Sequence, residues 1–180
     1  MNVVVLGPQG SGKSTQTKLL ANALKFPMFD MGDILRSQAK DNSPLSEKIR
    51  HIIKVGQLLD DDSTMAVFRE EIAKSKYKDG MVLDGAPRTL AQAELITKEL
   101  KIDKVFYLRV SDPVNVERLI KRGRADDTPE LIEKRLKLYH QKTEPVLAYY
   151  RKQGILEEID GEQEIERIAL DIKGRVMQND

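Results

Sequence analysis

The sequence predicts an α/β fold, a five-stranded parallel sheet with helices on both faces. Three observations carry that reading. Short β-branched runs alternate with segments whose apolar residues recur at helical spacing, the pattern of parallel strands joined by crossover helices. The first run leads directly into a glycine-rich turn, and a single region, from Gly32 to Lys76, breaks the alternation with helical pattern alone. At 180 residues the chain is long enough to bury one core of its own, so one domain spanning 1–180 is expected.

Taken in order, Val3 to Leu6 is short, β-branched and bounded by Gly7, which suits a strand buried on both faces. Thr15 to Leu24 reads as a helix, and "FPMFD" before Met31 supplies one further short strand. Three helices follow without a strand between them: Gly32 to Ala39, Pro44 to Val55 and Ser63 to Lys76. Strands are expected at Met81 to Gly85, Lys104 to Val110 and, more weakly, Gly154 to Asp160. Helices are expected at Leu90 to Leu100, Pro113 to Lys121, Pro129 to Tyr150 and Gln163 to Met177.

Composition excludes several functions. The 30 Lys and Arg nearly balance 29 Asp and Glu, which argues against a large basic face for nucleic acid. With no Cys there is no disulfide framework, thiolate zinc site or cysteine nucleophile. "MNVVVLG" has no basic leader and no segment approaches membrane-spanning length, so a soluble cytoplasmic protein is expected. His51 and His140 have no ligand-like spacing, and the six Met residues read as filler.

Gly7, Pro8, Gln9, Gly10, Ser11, Gly12, Lys13 and Ser14 fit G-x-x-x-x-G-K-[ST] without a mismatch. Such a loop turns successive N–H groups onto phosphate oxygens at a helix N-terminus whose dipole favours anions. Lys13 adds a point charge, and the hydroxyl of Ser14 or Thr15 can reach a phosphate or the shell of a magnesium ion. Asp84 ends the third strand, where a carboxylate can hold magnesium through water. "DDDST" (Asp60 to Thr64) could hold a cation but reads first as a helix cap, as does "DDT" (Asp126 to Thr128), whose carboxylates can also pair nearby arginines.

The arginines extend the reading. Arg36 follows "MGDIL", Arg88 sits in "DGAPRT" just past a strand end, and Arg118, Arg122, Arg124 and Arg135 lie in "ERLIKRGRADDTPELIEKRL". Arg135 shares a helix face with Leu131 and Leu138, where a cation wants an anion. With these motifs in view, the chain resembles the nucleoside monophosphate kinases, specifically short-lid adenylate kinases, from Val3 to about Asp160. The resemblance rests on "GPQGSGKSTQ", "GDILR", "DGAPRTLAQ" and "RLKLYHQKTEPVLAYY" in that order. Family members usually carry Gly at Ser14, Phe at Ala86 and Thr at Met31, and several residues separate the arginines matching Arg122 and Arg124, where Gly123 stands alone here.

The resemblance implies a P-loop NTPase-type three-layer fold with a helical insertion at about 31–60 that holds the nucleoside monophosphate, and a minimal lid at about 123–127. It implies reversible transfer of the γ-phosphoryl group of ATP to AMP, giving two ADP, by a monomer with magnesium and without zinc. Gly10, Ser11, Gly12, Lys13, Ser14 and Thr15 would hold the ATP phosphates, and Arg118 the ATP adenine. Met31, Arg36, Gln57, Leu58, Leu59, Gly85, Arg88 and Gln92 would hold AMP, its base read by Gln92. Arg122, Arg124 and Arg135 would surround the transferring group, and Asp84 and Ser14 would organise magnesium waters. A UMP or CMP kinase of the same family is the alternative; Thr89 and Gln92 favour AMP, because pyrimidine kinases usually carry Asn at both places. A nucleotide switch hydrolysing ATP without an acceptor would leave Arg36, Arg88 and Gln92 without a purpose.

Overall fold

The computed structural model describes residues 1–177. Five parallel strands form its sheet: β1 (Asn2–Leu6), β2 (Met28–Asp30), β3 (Met81–Asp84), β4 (Lys104–Arg109) and β5 (Leu156–Asp160). They lie in the order β2-β3-β1-β4-β5. Alternation along β1 divides the core. Val4 and Leu6 pack with Phe29, Leu83, Val105 and Val146 on one face, while Val3 and Val5 pack with Leu20, Phe106, Ile168 and Ile172 on the other.

Helix α1 (Lys13–Leu24) and helix α9 (Ile165–Met177) cover the second face; α4 (Asp61–Ile72), α5 (Leu90–Glu99) and α8 (Glu144–Lys152) cover the first. Because α1 leaves β1 toward one face and α5 leaves β3 toward the other, a crevice opens beyond the carboxyl ends of these adjacent strands. Between β2 and β3 stand α2 (Met31–Gln38), α3 (Pro44–Val55) and α4, with Leu35, Ile49, Ile52 and Leu59 forming a small core. After β4, α6 (Asp112–Arg122) and α7 (Pro129–Leu138) pack through Leu119, Ile132 and Leu136.

Most expected elements stand within two residues of their expected bounds, with two larger differences. The helix expected from Ser63 to Lys76 runs instead from Asp61 to Ile72: Asp60 caps it by accepting from Ser63 N at 2.9 Å, and a short 3₁₀ turn, Ser75–Tyr77, follows. The long helix expected from Pro129 to Tyr150 is interrupted by a π-helical turn, Tyr139–Thr143, where Glu144 N–H donates to Tyr139 O. Pro145, with no N–H of its own, cannot continue the normal ladder just beyond.

Phe29 sits at the centre of the first core face, fully buried, with ring centroids 5.2 Å from Phe68 and 6.0 Å from Tyr77. Phe29→Ala is expected to cost about 3–5 kcal/mol of stability, because the surrounding sheet cannot collapse into the space. A urea titration checks this; an unchanged midpoint would show that Phe29 is not part of the tight core. Among the described residues no helix is long and apolar enough to cross a membrane.

Candidate functional site

The crevice is one cavity of about 710 Å³ at the carboxyl ends of β1, β2 and β3. One wall is the glycine-rich loop. Gly10 has φ 86° and approaches α6 so closely that a Cβ would stand 2.6 Å from Asn115 O, while Gly12 at φ 88° faces open space. These left-handed backbone positions bring the loop's N–H groups to the start of α1, where no side chain caps the helix. Lys13 and Ser14 line the cavity, and Lys13 Nζ lies 3.2 Å from Pro8 O. Gly10, Ser11, Gly12 and Thr15 belong to the loop and the helix start but do not line the cavity wall.

Burial pushes the Lys13 ammonium below its ordinary value; Asp84 opposes that shift, and the neighbouring Arg88 and Arg122 add to it. Arg88 is depressed for the same first reason, again against the pull of Asp84. Three cations crowded in a half-enclosed cleft repel one another, and an incoming polyanion relieves that repulsion.

Asp84 is 2% exposed. Its Oδ2 accepts from the Ser14 hydroxyl, and its Oδ1 is buried without a hydrogen-bond partner. Beside it stands Asp30, whose residue is the register partner of Asp84 across β2 and β3. Burial and then the charge of Asp84 push the Asp30 carboxyl above its ordinary value. Asp30 was not expected in the site. It closes "FPMFD", so the rule that ligand groups gather at strand ends, applied to Asp84, could have found it too.

The opposite wall carries Met31, Arg36, Gln57, Leu58, Leu59, Gly85, Arg88 and Gln92, all lining the cavity. Arg36 is exposed and paired with Asp33 one turn earlier. Arg88 is fixed at three points: its N donates to Gln92 Oε1 at 2.8 Å, its Nε to Gly85 O at 2.9 Å, and its O accepts from Thr143 Oγ1 at 2.9 Å. Gln92 Nε2 donates in turn to Asp61 Oδ1 at 2.8 Å. Thr143 and Asp61 were also missed by sequence reading; one lies in the π-helical turn, the other within a stretch read first as a cap.

Arg122, Arg124 and Arg135 come to the same cavity from α6, the following turn and α7. Arg122 binds Asp127 with two bonds, 2.8 and 2.6 Å, holding that carboxyl below its ordinary range. Arg135 pairs with Asp126 at 2.6 Å, and Thr128 caps α7, accepting from Leu131 N at 3.3 Å. Arg124 is exposed; its backbone N donates to Asp127 Oδ2, while its guanidinium has no ion pair among the described residues. Arg118 lies outside the cavity, donating to Gly161 O at 2.9 Å and Ser11 O at 3.4 Å. His140, off the site, bridges Asp112 and Glu144. Among the described residues, no group of three or more His, Cys, Asp or Glu stands ready to hold a metal.

Comparison with known proteins agrees with this geometry. A family model described as "Adenylate kinase" matches residues 5–155. The chain is 35% identical over 189 residues to the adenylate kinase of Chelativorans sp. (strain BNC1), covering 97% of both chains. It is 38% identical over 188 residues to that of Cyanothece sp. (strain PCC 7425 / ATCC 29141), 96% of each, and 36% identical over 181 residues to that of Caulobacter vibrioides (strain NA1000 / CB15N), 96% of this chain and 95% of that one. The chain belongs to the adenylate kinase family, enzymes that move the γ-phosphoryl group of ATP to AMP and yield two ADP.

Proposed function

We propose that the two nucleotides meet in the one cavity, with ATP phosphates on the loop 7–15 and AMP between α2, α3 and Arg88. The observation that carries this reading is that Lys13 and five arginines (36, 88, 122, 124 and 135), drawn from separate segments, line a single cleft. The nucleophile is an oxygen of the AMP phosphate, anionic at neutral pH, so no general base is required. Catalysis then reduces to positioning two polyanions and stabilising the charge that spreads over the transferring group.

Each residue has a place in that scheme. Lys13 and the loop hold ATP, and Arg118, tied to Ser11 and Gly161, offers its flat face to the ATP adenine. Arg36 and Arg88 grip the AMP phosphate, Gln92 reads the base, and Met31 and 57–59 flank it. The segment 31–60 moves with AMP as an insertion, and 123–127 closes as a lid. On closure, Arg122 and Arg135 exchange Asp127 and Asp126 for phosphate oxygens. Closure also expels water that would divert the phosphoryl group to hydrolysis.

Asp84 and Ser14 fit a magnesium ion held through water, because Asp84 Oδ1 is buried without a partner and a second carboxyl, Asp30, stands beside it. The ion, arriving with ATP, supplies neutralisation of charge on the phosphate oxygens. All assigned groups come from one chain, which supports a monomer, and the absence of Cys agrees with a cytoplasmic setting. Incubation with ATP and magnesium plus AMP, UMP or CMP tests the reading: AMP is expected to be the best acceptor, EDTA to stop transfer and excess magnesium to restore it. Faster transfer to UMP or CMP would overturn the base assignment, and transfer indifferent to EDTA would remove the metal.

A further inference from the structure

Asp61 stands outside the cavity wall, in the first turn of α4, yet it holds a residue that lines it. Its Oδ1 accepts from Gln92 Nε2 at 2.8 Å and from Thr89 Oγ1 at 2.7 Å. On the far side of the same amide, Gln92 Oε1 accepts from Arg88 N. A carboxylate can only accept and a backbone N–H can only donate, so the amide has one permitted orientation. Turning it over would set its oxygen against the carboxylate and its NH₂ against the Arg88 N–H, in a side chain only 2% exposed.

After these two bonds the amide keeps one N–H and one lone pair on Oε1 for a ligand. The amino edge of adenine offers an acceptor ring nitrogen next to a donor amine, which matches a donor next to an acceptor. Hypoxanthine, with an oxo group in place of the amine, presents the reverse order in the same pose. A free amide could turn to suit either base; a clamped one cannot.

We infer that Asp61 is a specificity-determining positioning residue, clamping the Gln92 amide so that the site accepts the amino purine of AMP and rejects its oxo counterpart. This rests on the assignment of Gln92 to the AMP base. Because Gln92 also holds Arg88 N, the clamp lies on the AMP side of the site and leaves the ATP loop untouched.

The test compares kcat and KM for AMP and inosine monophosphate in the parent, Asp61→Ala and Gln92→Ala, alongside thermal unfolding. Asp61→Ala, which removes the acceptor oxygen, is expected to lower the preference for AMP by about tenfold or more, chiefly by raising the KM for AMP, with the KM for ATP within about twofold. Gln92→Ala is expected to lower the preference at least as far. If Asp61→Ala fails to fold, Asp61→Leu, close to the carboxylate in shape but without an acceptor, is measured instead. A preference unchanged by the Asp61 variant but reduced in Gln92→Ala overturns the clamp and leaves the reading of Gln92 intact. A preference unchanged in both overturns the reading of Gln92, and the clamp with it.

Discussion

Replacing Arg88 with Lys is expected to lower AMP-dependent turnover by about a hundredfold or more while leaving the fold and ATP binding in place. The reason lies in how the side chain is held. Its backbone is pinned by Gln92 and Thr143, and Nε is committed to Gly85 O, which leaves the two terminal nitrogens as a fork directed into the cavity. A planar fork meets two phosphate oxygens at once; an ammonium offers a point charge without that geometry. Turnover within about threefold of the parent would show that Arg88 does not grip the acceptor phosphate.

Arg124→Ala is expected to separate catalysis from stability more sharply than any other change in the site. Its guanidinium is exposed and without an ion pair among the described residues, so removing it should change unfolding free energy by no more than about 0.5 kcal/mol. Phosphoryl transfer should fall by about a thousandfold, the scale of losing an arginine directed at a transferring phosphoryl group. Arg122 and Arg135 are poorer probes, since removing either would also break its ion pair with Asp127 or Asp126. If 123–127 closes over the site as proposed, so short a segment covers less of it, and slow ADP release from ATP without AMP is expected in the parent. Transfer at the parental rate in Arg124→Ala would place that cation on the surface only.

The parts of this molecule legible in the sequence are those written in local pattern. The β-branched run before Gly7 declares β1, and the glycine spacing declares the tight turn that opens α1, because each depends on neighbouring residues alone. The arginines could be named, and Asp126 and Asp127 could be offered as partners for those of the lid, but which carboxylate meets which arginine could not be read. Asp126 and Arg135 meet across nine positions, and Asp61 reaches Gln92 across 31, contacts set by how α4 packs on α5 and how α7 enters the cleft. Asp30 joins Asp84 through strand register, which no local spacing encodes. The π-helical turn was hidden because its apolar residues keep nearly helical spacing while the hydrogen-bond ladder slips by one residue.

Everything assigned to the site depends on AMP and ATP occupying separate walls, and calorimetric titration of each nucleotide into the parent and Arg88→Lys tests this most directly. The expected result is an AMP affinity reduced by about tenfold or more, with ATP affinity within about threefold of the parent. Equal losses for both nucleotides, or an unchanged affinity for AMP, would contradict the division of the cavity into an ATP loop and an AMP wall.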